Sequence, residues 1–409
     1  MNVLLLDQYS DLGGAQQVLL ELLPAIGTRG WRAVAGLPGS GKLFEAIRGL
    51  GIEVARIDCA SDAPQYVAQT PRLAAQIRGL ADRVEADLVY VNGPRVVPAA
   101  ALAGLECPVM FHSHSWLPAG IARTAAGLAL RRMDAQVVAN CEFVASQWRR
   151  FVRAKRISVV VNGVAGPAAG QVRRSDGTLR IGCIGRIGPE KGQREFVAAA
   201  ARIREELPGC RFVVCGEALF DCDVAQCYAA EVRRAAVGMP IEFRGWVSDV
   251  YDALAELDLL LAPSNGPEAT TRVIPEAFAA GVPVIAFDTG GISEVVENGV
   301  TGVLVRSVEA MAKEAVALLS DRERRDSMAR AARNAWERRF TKEKFHQQIL
   351  GIMSECVVAS ARPVEENSDT EPRPAGVHHG PAGLGELGSP GQAEAYPTKS
   401  PAFRMWGEL

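Results

Sequence analysis

The chain has 409 residues and a formal net charge of −2, enough length for two or more separate cores and no global field that would recruit nucleic acid. Hydrophobic residues make up 48% of it and aromatic residues 6%, a balance that suits an α/β protein with Ala-lined helices on parallel strands.

The first stretch, MNVLLLDQYS, has no basic flank and turns polar after Leu6, so it reads as a first β-strand and not as a signal peptide. Strand-like and helix-like runs then alternate: AQQVLLELLPAIGTRG, WRAVAG, KLFEAIRGLG, DLVYVN, PAAALAG, CPVMFHSHS, AQVVANC and ISVVVNGV. The strands are almost continuously apolar, as required where helices cover both faces of a parallel, doubly wound sheet. GVAGPAAGQVRRSDGT follows, with few residues able to join a core, and reads as an interdomain linker. The alternation restarts with LRIGCIGR, a helix from about Gln193 to Leu207, then CRFVVCG, IEFRGWV, DLLLAPS, PVIAF and GVLV. Two doubly wound halves imply a cleft between them, with ligands outside the carboxyl ends of the strands. The predicted units are 1–165, a linker 166–178, 179–335, a helix over 336–360 packing back on the first domain, and a Pro/Gly/Glu/Ser-rich disordered tail over 361–409.

The nine cysteines (59, 107, 141, 183, 210, 215, 222, 227 and 356) are odd in number and lie mostly in apolar runs, as small buried hydrophobes of a reducing compartment do. No CxxC pair or clustered histidine accompanies them, so no zinc site is expected. No run approaches the ~20 apolar residues of a membrane span.

Four stretches invite a phosphate. GLPGSGKLFE (Gly36–Glu45) has the spacing of a Walker A loop, but Leu43 stands where a Ser or Thr must hold Mg²⁺. DLGGAQQ places Gly13 and Gly14 at the start of a helix whose apolar residues (Val18, Leu19, Leu22, Leu23, Ile26) keep helical spacing, and free N–H groups there favour an anion. RIGPEKG brings Arg186 and Lys191 to a strand end. PSNGPEATTRVIPEAFAAGVP separates Glu268 from Glu276 by seven residues, with Thr270 or Thr271 as the expected N-cap and Gly281 and Pro283 as the stop.

Taken in order, the GGAQ loop, FHSHS, VNGV, IGRIGPEKG, RFVVCG, LDLLLAPS, the Glu-x7-Glu element with EAFAAGVPVIA, and GGISEVVENGVTGVLV resemble a retaining glycosyltransferase of the GT-B fold, family 4 (glycosyl transferases group 1), over about residues 1–355. The resemblance implies two Rossmann-like domains facing a cleft, a nucleotide diphosphate sugar held mostly by the second domain, and an acceptor on the first. It implies that Glu276 holds the ribose hydroxyls, that Glu268 lies near the donor sugar, and that Arg186 and Lys191 hold the diphosphate, which Gly13 and Gly14 approach from the other domain. One histidine near the sugar is implied: His114, with His112 as the alternate. Thr270 and Thr271, followed by Arg272, stand where the family commonly carries Phe-Gly two and three residues after its first glutamate, with backbone N–H groups and the Arg272 charge left to meet phosphate.

The activity implied is transfer of a glycosyl unit with retention to a glycan, lipid-linked or small-molecule acceptor. A nucleotide-sugar epimerase on the same fold and an inactive nucleotide-sugar-binding subunit are the alternatives. No cofactor and no metal are expected, although Asp221-Cys222-Asp223 matches the Asp-x-Asp of a metal-bound donor site in another glycosyltransferase architecture. The basic stretch 123–156, with Trp148 and Phe151 interleaved, is read either as a peripheral contact with anionic membrane or as a solvated helix face, and the expected location is cytoplasmic, with or without attachment to the inner face of the membrane.

Overall fold

The computed structural model describes residues 1–59, 63–169, 171, 176–218 and 223–361. The Asp221-Cys222 pair and the tail beyond Ala361 lie outside these residues, as does the side chain of Asp223.

The first unit runs β1 (Asn2–Leu6), α1 (Gly14–Thr28), β2 (Arg32–Leu37), α2 (Lys42–Gly49), β3 (Glu53–Arg56), α3 (Ala63–Arg83), β4 (Leu88–Val91), α4 (Val97–Leu102), β5 (Val109–Ser113), α5 (Ile121–Arg132), β6 (Gln136–Ala139), α6 (Glu142–Ser146) and β7 (Ile157–Val159). Its strands form one parallel sheet in the order β3-β2-β1-β4-β5-β6-β7. The second unit runs β8 (Arg180–Ile184), α7 (Gln193–Glu206), β9 (Arg211–Cys215), α8 (Asp223–Ala235), β10 (Ile241–Gly245), α9 (Val250–Leu254), β11 (Leu259–Ala262), α10 (Val273–Ala280), β12 (Val284–Phe287), α11 (Ile292–Val295), β13 (Val303–Val305) and α12 (Val308–Ser320). Its parallel sheet has the order β10-β9-β8-β11-β12-β13.

Side chains alternate across each strand, so consecutive residues enter different cores. Leu4 and Leu6 pack on one face of the first sheet and Val3 and Leu5 on the other. Leu260 and Ala262 likewise separate from Leu259 and Leu261 in the second. The strand order reverses between β1 and β4 and again between β8 and β11, and such switch points are where open α/β sheets bind ligands.

The chain ends with α13 (Arg322–Ala335), a π-turn over Trp336–Phe340 and α14 (Lys342–Ala361). Phe340 joins the second unit's core, whereas Phe345, Ile349, Leu350, Met353 and Cys356 pack with Leu5, Val18, Tyr90 and Met110 of the first. Each such side chain stabilises by about 1.5–3 kcal/mol. The outward and return crossings run side by side: Val164 N donates to Phe340 O at 2.8 Å, and Lys342 N donates to Val164 O at 3.2 Å.

Candidate active site

In the second unit, β8 delivers Arg186 and a short turn over Pro189–Lys191 at its carboxyl end. Gly192 caps α7 with φ +72°, and a Cβ there would meet Pro263 O at 1.8 Å. Glycine alone lets this turn lie against the end of β11. Lys191 thereby reaches across the switch point: its Nζ donates to Glu268 Oε2 at 2.6 Å and to Thr271 Oγ1 at 3.4 Å. Arg186 pairs with Glu190 in the same loop, and Gln193 Nε2 donates to Arg186 O at 2.9 Å, fixing the loop's path.

The Glu268 loop is supported from below by the GG turn after β12. Gly291 N donates to Glu268 O at 2.9 Å, and Gly290, at φ +57°, would bring a Cβ within 1.8 Å of the same oxygen. Helix α10 begins later than the sequence suggests. Its N-cap is Arg272, with no side-chain cap bond, and not Thr270 or Thr271. Thr271 is buried with its hydroxyl turned to Lys191, and Thr270 is half-buried in the same loop. Glu276 therefore sits in the first turn of α10, where the helix dipole favours an anion. Burial pushes its carboxyl up, and Arg272 pulls it back down. The guanidinium donates from Nε to Glu276 Oε1 at 2.8 Å and from Nη2 to Glu21 Oε1, on α1 of the first unit, at 2.7 Å.

In the first unit, Gly13 caps α1 without a side-chain bond, and a Cβ on Gly14 would have nothing within 4 Å. The first turn of α1 is open to a ligand. Beneath it lies a buried polar network. Asp7, at the end of β1, accepts from Gln16 Nε2 at 3.0 and 3.1 Å, from Asn92 Nδ2 at 2.6 Å and from Tyr9 N at 2.9 Å. Its carboxyl is nonetheless pushed up to about 6 by burial, which outweighs these bonds. Asn92, at the end of β4, also donates to Ala15 O at 3.2 Å and bonds through Oδ1 to His114 Nε2 at 2.9 Å. An Asn oxygen accepts, so His114 carries its proton on Nε2 and offers Nδ1 as an acceptor. That Nδ1 is buried with no partner among the described residues, and burial lowers the ring to about 3.

The structure gives the two histidines different surroundings, although their rings lie 3.8 Å apart. His112 is fully buried, its Nδ1 is 2.5 Å from Tyr90 Oη, and its ring lies 6.0 Å from Phe345 of α14. His114 is half-buried beyond the strand end, tied through Asn92 to the first turn of α1. The units meet around this crevice: besides Arg272 and Glu21, Glu294 of α11 accepts from Glu142 N at 2.6 Å and Phe143 N at 2.8 Å at the start of α6.

Asp7, Gln16, Asn92, Glu21 and Glu294 were not singled out from the sequence. Asp7 and Asn92 did leave a signal, as polar residues closing the apolar runs NVLLLD and DLVYVN at the switch point. Glu21 and Glu294 left none, because their partners lie 251 and 152 residues away.

The Walker-like loop supplies no phosphate cradle. Leu43 is fully buried in the first unit's core, Leu43 N donates to Ser10 O at 2.8 Å, and Lys42 N donates to Asp11 Oδ1 at 3.3 Å. The basic stretch 123–156 is altered as well. Trp148 is a core residue, with Nε1 donating to Ser113 Oγ at 2.9 Å, so it presents no aromatic surface to lipid. Arg149 pairs with Glu142, and Arg153 and Arg156 pair with Asp134 at 2.5 and 2.7 Å. No helix among the described residues is long and apolar enough to cross a membrane, and no group of three His, Cys, Asp or Glu there is placed to hold a metal.

Two parallel sheets with their switch points facing one crevice, basic and acidic side chains on the second and a polar network on the first, define the GT-B class of protein. Comparison with known proteins agrees. Residues 12–165 match the family described as Glycosyltransferase Family 4 and residues 178–321 that described as Glycosyl transferases group 1. The chain belongs to this glycosyltransferase family.

The solved structure of Anabaena Alr3699/HepE in complex with UDP and glucose superposes with a TM-score of 0.75 at 26% identity, over 87% of this chain and 99% of that one. A GDP-mannose-dependent alpha-(1-6)-phosphatidylinositol monomannoside mannosyltransferase of Mycobacterium tuberculosis is 33% identical over 165 residues, 37% of this chain and 41% of that protein. The sulfoquinovosyl transferase SQD2 of Arabidopsis thaliana is 25% identical over 312 residues, 67% of this chain and 57% of that protein. The chain thus spans between about two fifths and three fifths of the length of these two curated relatives.

Proposed function

We propose that the protein transfers a glycosyl unit from a nucleotide diphosphate sugar to an acceptor, with retention of anomeric configuration. The observation that carries this reading is the convergence of Lys191, Glu268 and Thr271 across the β8–β11 switch point, with Glu276 in the first turn of the next helix. The UDP-bound neighbour and the sugar-nucleotide named for the mycobacterial relative support the donor class. In this reading Glu276 accepts from the ribose hydroxyls, Arg186 and Lys191 face the diphosphate with the open first turn of α1, and Glu268 accepts from sugar hydroxyls with His114 beside the sugar. Bond breaking leaves an oxocarbenium-like sugar and a diphosphate gaining charge, which the cations and helix N-termini stabilise. The acceptor, a glycan, lipid-linked or small molecule, enters from the first unit. A lipid-linked acceptor would bring the basic stretch 123–156 near a membrane.

The first test is a melting screen over UDP- and GDP-sugars, where a donor at ~100 times its Kd should stabilise by about 2.7 kcal/mol. A hit is followed by transfer assays. Glu276→Ala is expected to weaken binding of the free nucleoside diphosphate, and Glu268→Ala that of the intact donor alone. Calorimetry with the order reversed would exchange the two roles. Donor conversion without acceptor would mark an epimerase, and tight donor binding with neither reaction an inactive subunit.

Charge neutralisation is supplied by side chains and helix ends, so turnover is expected to survive excess EDTA. Activity lost in EDTA and regained with Mn²⁺ or Mg²⁺ would overturn the metal-free mechanism.

A further inference from the structure

Arg272 follows Thr270 and Thr271, and its side chain joins two carboxylates from different units. The side chains of Arg272, Glu276 and Glu21 are 19%, 12% and 22% exposed, and Nη1 of the arginine is buried without a partner among the described residues. A guanidinium this well covered is costly unless paired, and a covered carboxylate gives up its charge unless a cation stays beside it. Helix α10 gains no cap from Arg272, so the side chain is not there to start the helix. Its bonds go to Glu276 Oε1 and Glu21 Oε1; among the described residues Glu276 Oε2 accepts no hydrogen bond.

We propose that Arg272 is a positioning residue for the donor nucleotide: it holds Glu276 as an anion, with Oε1 engaged and Oε2 presented to the ribose, and ties that carboxylate through Glu21 to the opposite unit. The proposal rests on the ribose-binding reading of Glu276. The groups facing Glu276 are Arg272 before it, Glu21 on α1, and Asp249 and Tyr251 at α9, with His346 of α14 facing Glu21. Arg333 of α13 meets the far end of α10 at Ala279 O. Arg272 is the cation of the near set. Without it, two acidic neighbours and burial all push the Glu276 carboxyl up, so the anion is lost as pH falls through the raised value.

The test is calorimetry on the full chain with UDP or GDP, whichever is the nucleotide of the donor that raises Tm in the screen, at about pH 8 and about pH 5.5. Each variant's Kd is read as a ratio to wild type at the same pH, so that the ligand's own ionisation cancels. Arg272→Met is expected to weaken binding about tenfold at the higher pH, and the ratio to widen about another tenfold at the lower one. Arg272→Lys keeps a cation beside Glu276 and Glu21→Gln keeps the arginine, so both ratios stay constant with pH. A constant ratio for Arg272→Met, or one that widens for Arg272→Lys or Glu21→Gln, overturns the proposal; the latter two carry the test alone if Arg272→Met does not fold. Glu276→Gln separates the two levels. Unchanged affinity in that variant removes the ribose reading and this proposal together, whereas weakened affinity beside a constant Arg272→Met ratio removes this proposal alone.

Discussion

Lys191→Ala is expected to lower turnover by about 10²-fold or more, the cost of deleting one preorganised donor to a developing negative charge. The lysine is held at the crevice by its bond to Glu268, with side-chain exposures of 22% and 18%. Both side chains are partly buried, so Glu268 loses a covered partner when the lysine goes, and the slower reaction is read on protein whose melting curve shows it folded. Arg186→Ala should fall in the same range, since its partner Glu190 belongs to its own loop and holds the guanidinium at the strand end. Lys191 and Glu268 act as a pair, so Lys191→Ala/Glu268→Ala should cost much less than the product of the single losses. Single-turnover rates at saturating donor, alongside melting curves, make the comparison. Wild-type turnover in either cation variant would remove the diphosphate assignment.

The second large effect is on stability. Acidification from about pH 7 to about pH 5 is expected to remove about 2 kcal/mol of folding free energy. Burial lowers His112 and His114, so the unfolded chain binds protons that the native state refuses. For such a base, stability is complete above the unfolded value near 6.5 and declines below it by about 1.4 kcal/mol per pH unit for each histidine. Half-buried His346 is lowered too and adds to the trend. Asp7 works the other way. Its value is raised from 3.8 to about 6, so between those limits the native state takes up a proton that the unfolded chain does not, offsetting one histidine. Urea titrations across this range should show His112→Phe with a shallower acid slope than wild type and Asp7→Asn with a steeper one. A wild-type slope in Asp7→Asn would mean that the carboxyl stays ionised throughout.

The alternation of apolar runs made both sheets legible in the sequence, because a strand buried on two faces has little choice of composition. NVLLL and LLLA announce themselves in this way. The start of α10 was less legible. Two threonines before a helix look like caps, but whether a hydroxyl caps or meets a lysine depends on a side chain arriving from residue 191. Of the crevice residues, those within one loop, such as Gly13, Gly14, Arg186 and Lys191, were readable from their strand-end position. The supporting carboxylates were not. Glu21 is one of several polar positions on an amphipathic helix, and only the approach of the second unit sets it apart. Trp148 erred in the opposite direction: interleaved with arginines it looked like a surface residue, yet its position after α6 turns it beneath β5, where Ser113 meets its indole N–H.

The return of α14 to the first unit bears on how the molecule is made. When synthesis has passed Val159, all seven strands of the first sheet exist, but Leu5, Val18, Tyr90 and Met110 still lack Phe345, Ile349 and Met353 as neighbours. The amino-terminal half must wait through the translation of the entire second unit with part of one apolar face uncovered. The second unit has no such debt to its predecessor, since both of its cores draw almost wholly on its own residues. Order of synthesis and order of completion are therefore inverted. A fragment ending in the linker would carry a full sheet and remain sticky, whereas adding α14 back as a separate peptide would be expected to make it soluble.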